Sequence, residues 1–282
     1  MALKFLILGR GYIGTYLKNR LPDASLYDGY VTTESELKKI LLEKYPGHIV
    51  INCAGKTGRP NIDWCEDHKG ETFCCNVSIP TMIAEVCKEI KQYWIHIGSG
   101  CVYDGYDKHW TEEDEPNFYG SFYSKTKIWS QQILEGYDEV CILRIRMPVD
   151  EELQERSYIT KIVRYAKEGK LLFNAHNSMT VLSDLAEAIK FLAEKGHTGT
   201  WNIVNDGYMT IEEILRIYRK CVDSTLQYKI GSICEVQMKI KAKRSNCILS
   251  IDKLKKEGFM MPHIEPQIEK ILSIYGAERN PL

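Results

Sequence analysis

Apolar and polar positions along the first half of the chain fall into blocks of two kinds. Strand-sized apolar runs occur at Lys4–Leu8, Ser25–Tyr27, Ile49–Ala54, Tyr93–Ile97 and Val140–Ile145. Between them, apolar residues recur every three or four positions, the period of a helix with one buried face. Leu37, Ile40 and Leu41 mark a helix over Glu34–Tyr45 that stops before Pro46-Gly47. Further helices are predicted over Thr81–Lys91 and through Lys127, Ile128 and Ile133, with no glycine before Gly136. Strands alternating with helices predict parallel βαβ units in a doubly wound α/β sheet. Ligands of such sheets bind at the carboxyl ends of the strands, where Gly9, Ala54 and Ser99 fall.

After Met147-Pro148 the pattern loosens. Helices are predicted at Ser157–Lys167, at Ser183–Glu194 with Ser183 as N-cap, at Thr210–Cys221 and at Pro266–Tyr275, with a strand at Thr200–Val204. The expected organisation is a dinucleotide-binding Rossmann unit over residues 1–148 and a smaller, mainly substrate-binding region over 149–282. Part of the latter, about 180–205, is expected to return to the main sheet.

Composition narrows the function classes. The 282 residues carry 37 basic and 38 acidic side chains, a net charge of −1 that gives no footprint for nucleic acid or an anionic membrane. No apolar stretch approaches the roughly 20 residues of a membrane span, and the N-terminus has no signal-peptide pattern. The ten cysteines show no Cys-x-x-Cys spacing and read as reduced thiols of a cytoplasmic protein. The seven histidines form no ligand spacing, so no metal is expected, and His96 reads as a satisfied core residue.

Two motifs carry chemistry. Gly9-Arg10-Gly11-Tyr12-Ile13-Gly14 lies between a predicted strand and a predicted helix, the setting in which backbone approaches a pyrophosphate at a helix N-terminus. Asp28, nineteen residues after Gly9, reads equally as a ribose contact, which points to NAD, or as a turn residue before Gly29. Arg10 pulls the other way, because a cation there suits a 2′-phosphate. The second motif runs from Gly98 to Lys127. Tyr123 and Lys127 are four apart on a helix and so share a face, and a cation near a phenol favours proton exchange with a substrate oxygen. Alone, the pair also fits an amphipathic surface helix. Ser99 adds a hydroxyl, and Cys101 adds a thiol for which plain reduction has no use.

Together the glycine turn, Gly98-Ser-Gly-Cys-Val-Tyr103 and Tyr123-x-x-x-Lys127 resemble the extended short-chain dehydrogenase/reductases that act on nucleotide sugars. More narrowly, Thr57–Glu66, Pro116–Lys127, Leu143–Pro148, Asn177–Thr180 and Arg244–Asn246 resemble the bifunctional 3,5-epimerase/4-reductases that turn UDP-4-keto-6-deoxyglucose into UDP-L-rhamnose. The resemblance implies that Ser99, Tyr123 and Lys127 serve ketone reduction, with Lys127 also on the nicotinamide ribose. It implies that Cys101 and Lys161 exchange the protons at C3 and C5, Lys161 either as the opposite proton donor or as the cation beside the thiol. Arg59, Asn61, Asn177 and Arg244 are implied near the sugar nucleotide. Asn76 is implied either there or as a structural residue organising a backbone kink.

The glycine turn is one residue shorter than the Gly-x-x-Gly-x-x-Gly usual in that family. NADPH is the expected cofactor, from Arg10 and the reductive direction, with NADH as the alternative. The keto sugar is expected from a separate 4,6-dehydratase, and a homodimer is among the expected states. Two other readings stand beside this one: a 4-keto-rhamnose reductase acting on dTDP or UDP sugars without epimerase activity, and a non-enzymatic nucleotide-sensing subunit. Retention of Ser99, Tyr123 and Lys127 speaks against the last.

Overall fold

The computed structural model describes residues 3–232, 235–236, 238 and 240–279, so Cys234 lies outside the described residues. Six strands form the central sheet: β1 (Phe5–Leu8), β2 (Ala24–Leu26), β3 (Ile49–Asn52), β4 (Trp94–Ile97), β6 (Val140–Arg144) and β10 (Gly199–Asn202). Their order is β10-β6-β4-β3-β1-β2, and every pairing is parallel. The doubly wound sheet expected from the alternating blocks is therefore present. Because side chains alternate across a strand, one run fills two cores. Phe5 and Ile7 pack with Tyr16, Leu17, Leu185 and Ile189 on one face. Leu6 and Leu8 pack with Leu37, Ile83 and Trp94 on the other.

A third cluster stands apart from the sheet and joins Val149, Ile159, Ile162, Ile214, Leu215, Ile268 and Leu272. It is built from the helices Tyr158–Lys167, Ile211–Cys221 and Ile264–Arg279. Six short strands, which the apolar pattern does not predict, pair in twos around it and beside the sheet. These are β5 (Gly105–Trp110) with β12 (Cys247–Leu249), β7 (Pro148–Val149) with β9 (Thr180–Val181), and β8 (Leu171–Phe173) with β11 (Lys229–Gly231).

Local chemistry sets the helix starts. Thr33 caps Glu34–Lys39 by accepting from the Glu36 amide at 3.2 Å, and Ser121 caps Phe122–Leu134 through the Ser124 amide at 3.0 Å. The predicted Glu34–Tyr45 helix changes at Ile40 into a wide π turn over Ile40–Lys44. Ser183 is not an N-cap: the helix is Leu182–Lys195, and the Val181 amide before it donates to Asn205 Oδ1 at 2.8 Å. His96 is only half satisfied. Its Nδ1 lies 3.1 Å from Asn52 Nδ2, its Nε2 has no partner, and burial holds its pKa well below the usual histidine value.

The glycine turn is fixed by two close approaches. Gly9 has a φ of +113°, and a Cβ there would sit 2.5 Å from the Ala54 nitrogen at the end of β3. A Cβ on Gly14 would collide with the Gly9 carbonyl. Only glycine lets the Tyr12–Arg20 helix spring from β1 so tightly. Gly14→Ala is expected to cost about 1–3 kcal/mol, the range for overpacking a close site, seen as a lower denaturant midpoint with an unchanged m-value.

Candidate active site

Strand ends of the sheet deliver the groups to one place. β4 ends at Ile97 and leads through Gly98 to Ser99 and Cys101, while the Phe122–Leu134 helix brings Tyr123 and Lys127 across from it. Ser99, Tyr123 and Lys127 are each less than a tenth exposed, and Cys101 is half-buried. The Tyr123 hydroxyl has Ser99 as its side-chain hydrogen-bond neighbour. Burial, then the Cys101 charge, raise the Tyr123 pKa, while the Ser99 bond opposes them. Tyr123 is therefore held as a phenol. Arg146 is a cation acting on it, and Lys127 Nζ donates to the Ile97 carbonyl at 3.3 Å. Burial also pulls the Lys127 amine down to about 8, against the charges of Cys53 and Cys101.

Lys161 comes from the third core and is coupled electrostatically to the same thiol. It is half-buried on the Tyr158–Lys167 helix, with its amine 5.9 Å from the Tyr158 ring centre. Burial first, then Arg156 and Arg244, lower its pKa to about 8, and Cys101 opposes the fall. Cys101 is thus electrostatically coupled to Tyr123, Lys127 and Lys161 together.

A cationic rim surrounds Lys161. Arg244 is oriented by the Asp63 carboxylate at 2.9 Å and reaches Asn61 Oδ1 at 3.4 Å. Asn61 donates in turn to the Tyr165 hydroxyl at 3.1 Å. Arg59 is exposed, and its charge acts on Arg156. Positive groups gathered in this way suit a diphosphate.

Asn76 and Asn177 sit differently from these. Asn76 lies in the π turn Cys74–Ser78, where its Oδ1 accepts the Lys56 amide at 2.7 Å and its Nδ2 donates to the Lys56 carbonyl at 3.1 Å and to Thr126 Oγ1 at 3.0 Å. The buried Asn177 accepts from Arg146 and from the Cys247 amide at 3.2 Å, and donates to Asn246 Oδ1 at 3.1 Å. Both amides are engaged by protein, one tying the β3 loop to the Tyr123 helix and the other tying β12 to β6. Each thus braces the protein around the site.

On the cofactor side, the Tyr12–Arg20 helix begins at Gly11, whose position has no side-chain cap and whose Cβ direction is open space. Uncapped amides of Tyr12, Ile13 and Gly14, with no acidic residue in the first turn, form an anion cradle that a side chain at 11 would fill. Arg10 and Asp28, the two groups that argue for opposite cofactors, pair with each other at 3.0 Å.

Two arginines of the site, Arg146 and Arg156, are not singled out by the sequence motifs. Arg146 is fully buried and donates to the Gly100 carbonyl at 2.8 Å, to Ser245 Oγ at 2.9 Å, to the Ser245 carbonyl at 3.2 Å and to Asn177. It does leave a signal: Leu143-Arg-Ile-Arg146 puts two arginines at alternate positions of an otherwise apolar run. Arg156 donates to the Gly58 carbonyl at 2.9 Å and to Thr57, holding the loop that carries Arg59.

A glycine turn at the carboxyl edge of a doubly wound sheet, with Ser99, Tyr123 and Lys127 gathered beside it, is the frame of an extended short-chain dehydrogenase/reductase. Within that class the chain belongs to the RmlD substrate binding domain family, which matches residues 9–276. It is 40% identical over 269 residues to a trifunctional UDP-glucose 4,6-dehydratase/UDP-4-keto-6-deoxy-D-glucose 3,5-epimerase/UDP-4-keto-L-rhamnose-reductase of Arabidopsis thaliana, covering 91% of this chain and 40% of that protein. The chain therefore spans about two fifths of the length of that relative. It is 41% identical over 220 residues to a bifunctional dTDP-4-dehydrorhamnose 3,5-epimerase/dTDP-4-dehydrorhamnose reductase of the same plant, covering 75% of this chain and 71% of the relative. The crystal structure of the L780 UDP-rhamnose synthase from Acanthamoeba polyphaga mimivirus superposes with a TM-score of 0.90 at 30% identity, over 97% of this chain and all of that one.

Two outcomes follow from the buried cations. Arg146→Lys keeps the charge but loses the fork, and is expected to cost about 2–4 kcal/mol of unfolding free energy. The Lys161 amine titrates near 8 when folded and near 10.5 when unfolded, so the unfolded chain binds more protons between those values and stability rises with pH across them. Lys161→Met is expected to exceed the wild type in stability at pH 7. That advantage should shrink as the pH approaches 10 in parallel denaturant titrations.

Proposed function

We propose that this protein converts a UDP-4-keto-6-deoxy sugar to UDP-L-rhamnose by 3,5-epimerisation followed by NADPH-dependent reduction of the C4 ketone. The observation that carries the reading is the Cys101 amide on Ser99 Oγ at 3.1 Å, with the thiol coupled electrostatically to Tyr123, Lys127 and Lys161. The names borne by the relatives, two with an epimerase and a reductase and one a UDP-rhamnose synthase, support it. Residues 1–148 would hold mainly the cofactor and 149–282 mainly the sugar, which a 4,6-dehydratase must supply.

The uncapped amides after Gly11 would hold the pyrophosphate and Lys127 the nicotinamide ribose, with Arg10 freed from Asp28 to meet a 2′-phosphate. Bound nicotinamide supplies the hydride for C4. The chain's own residues do the proton work. Ser99 and the protonated Tyr123 hydrogen-bond to the C4 oxygen, which makes the C3 and C5 hydrogens acidic by stabilising the enolate. Cys101 and Lys161 then remove and return those protons. An amine titrating near 8 is suited to exchange at neutral pH. When C4 is reduced, Tyr123 gives its proton to the new hydroxyl. Arg59, Arg156 and Arg244 hold the diphosphate.

Incubation with UDP-4-keto-6-deoxyglucose and NADPH in deuterium oxide, read by NMR, tests all parts together. Deuterium at C3 and C5 of a UDP-L-rhamnose product is expected. Cys101→Ala should slow deuterium uptake by roughly a hundredfold or more, yet still reduce the pre-epimerised ketone. Undiminished uptake would remove Cys101 from the mechanism. Reduction without uptake in the wild type would leave a monofunctional reductase.

A further inference from the structure

Three buried polar side chains meet where the cofactor-side helix packs on the segment leading to Lys161. Tyr12 Oη, Asp150 Oδ2 and Ser157 Oγ are shut off from solvent, and none makes a well-formed hydrogen bond. Yet Ser157 and Asp150 are the hydrogen-bond neighbours of the Tyr12 hydroxyl. Asp150 and Ser157 have no exposed surface at all. Ser157 stands at the N-cap of the Tyr158–Lys167 helix but makes no capping bond. A serine in that place ordinarily accepts an amide of the first turn. In this chain its hydroxyl instead faces Tyr12 without closing a well-formed bond.

The contact continues one helical turn on. The Tyr16 hydroxyl donates to both Glu151 oxygens at 2.8 and 2.7 Å, and Arg20 pairs with the same carboxylate. Helix Tyr12–Arg20 thus faces Asp150 at one turn and is bound to Glu151 at the next. From there the chain runs through Arg156 to Ser157, whose carbonyl accepts the Lys161 amide at 3.1 Å.

We infer that Asp150 and Ser157 are positioning residues that transmit occupancy of the glycine turn, through Tyr12, to the helix carrying Lys161. The inference rests on the proposed function, in which the turn holds NADPH. An anion on the amides of Tyr12 and Ile13 fixes the first turn of their helix, and with it the direction of the Tyr12 hydroxyl. Buried polar groups without good geometry are costly, so fixing that hydroxyl against Ser157 and Asp150 favours one placement of the Lys161 helix over the looser ones. Epimerisation, which needs no hydride, then runs best with the cofactor in place.

Hydrogen–deuterium exchange of the full chain with and without NADPH tests this, using Ser157→Ala and Asp150→Asn. In the wild type, saturating NADPH should slow amide exchange across 158–167 by about fivefold or more, the low end of typical coupling. Both variants should bind NADPH in a fluorescence titration but lose that added protection. Their kcat for deuterium uptake into the keto sugar should fall about tenfold with KM changed less than about twofold, the pattern of a lost transition-state contribution. Cofactor binding by the wild type without added protection, or variants that keep the wild-type protection, would overturn the coupling alone. So would faster exchange to the same degree with and without NADPH, which marks a purely structural role. Failure of the wild type to bind NADPH would instead overturn the proposed function, and the coupling with it.

Discussion

The buried guanidinium of Arg146 is the interaction on which the site's geometry depends. Taking a charge out of water is expensive, and the expense is offset only by a dense set of acceptors. Gly100, Asn177 and Ser245 supply them, from three segments far apart in the chain. The Gly100 carbonyl lies between Ser99 and Cys101, so a bond that engages the Arg146 Nη1 also fixes the loop bearing the hydroxyl and the thiol. Glycine is required there because a Cβ would stand 2.7 Å from the Arg146 side chain. Ser245 adjoins Arg244, which carries the constraint outward to the cationic rim.

Positive charge is concentrated around the Cys101 thiol, which is coupled to Lys127, Arg146 and Lys161. Asp63 is spent on Arg244, and the amines of Lys127 and Lys161 are both pulled toward neutrality, chiefly by burial. A region rich in cations, two of them amines with lowered pKa, suits a phosphorylated ligand and still leaves groups able to exchange protons. Loss of charge by one lysine also eases the burial of its neighbours, so the rim and the two lysines are electrostatically one unit.

The central sheet was legible because its strands are buried on both faces and so read as unbroken apolar runs. Ser99, Tyr123 and Lys127 were legible because strand ends and helical spacing follow from local sequence. What local sequence could not report was long-range partnership. Strands β5 and β12 are short and irregular, and pair only because Asn246 and Gly105 meet across a long stretch of chain. Ser183 looked like a cap because capping is a local preference, whereas the Val181 amide found a distant acceptor in Asn205. Asn76 and Asn177 show the same limit: local sequence does not report that their amides bond to Lys56, Thr126, Cys247 and Asn246. Arg146 was visible as an anomaly in an apolar run, but not as the hub that Gly100, Asn177 and Ser245 share.

The Arg10–Asp28 pair lies at the edge of the fold, with side chains 43% and 98% exposed. Neither residue belongs to any of the three cores, and exposed pairs of this kind contribute little to stability. If these two residues select the cofactor, that choice is written in positions that folding barely notices. A lineage carrying this chain could exchange one nicotinamide pool for the other through substitutions at two surface positions, while the sheet, the thiol and the cationic rim stayed under separate selection.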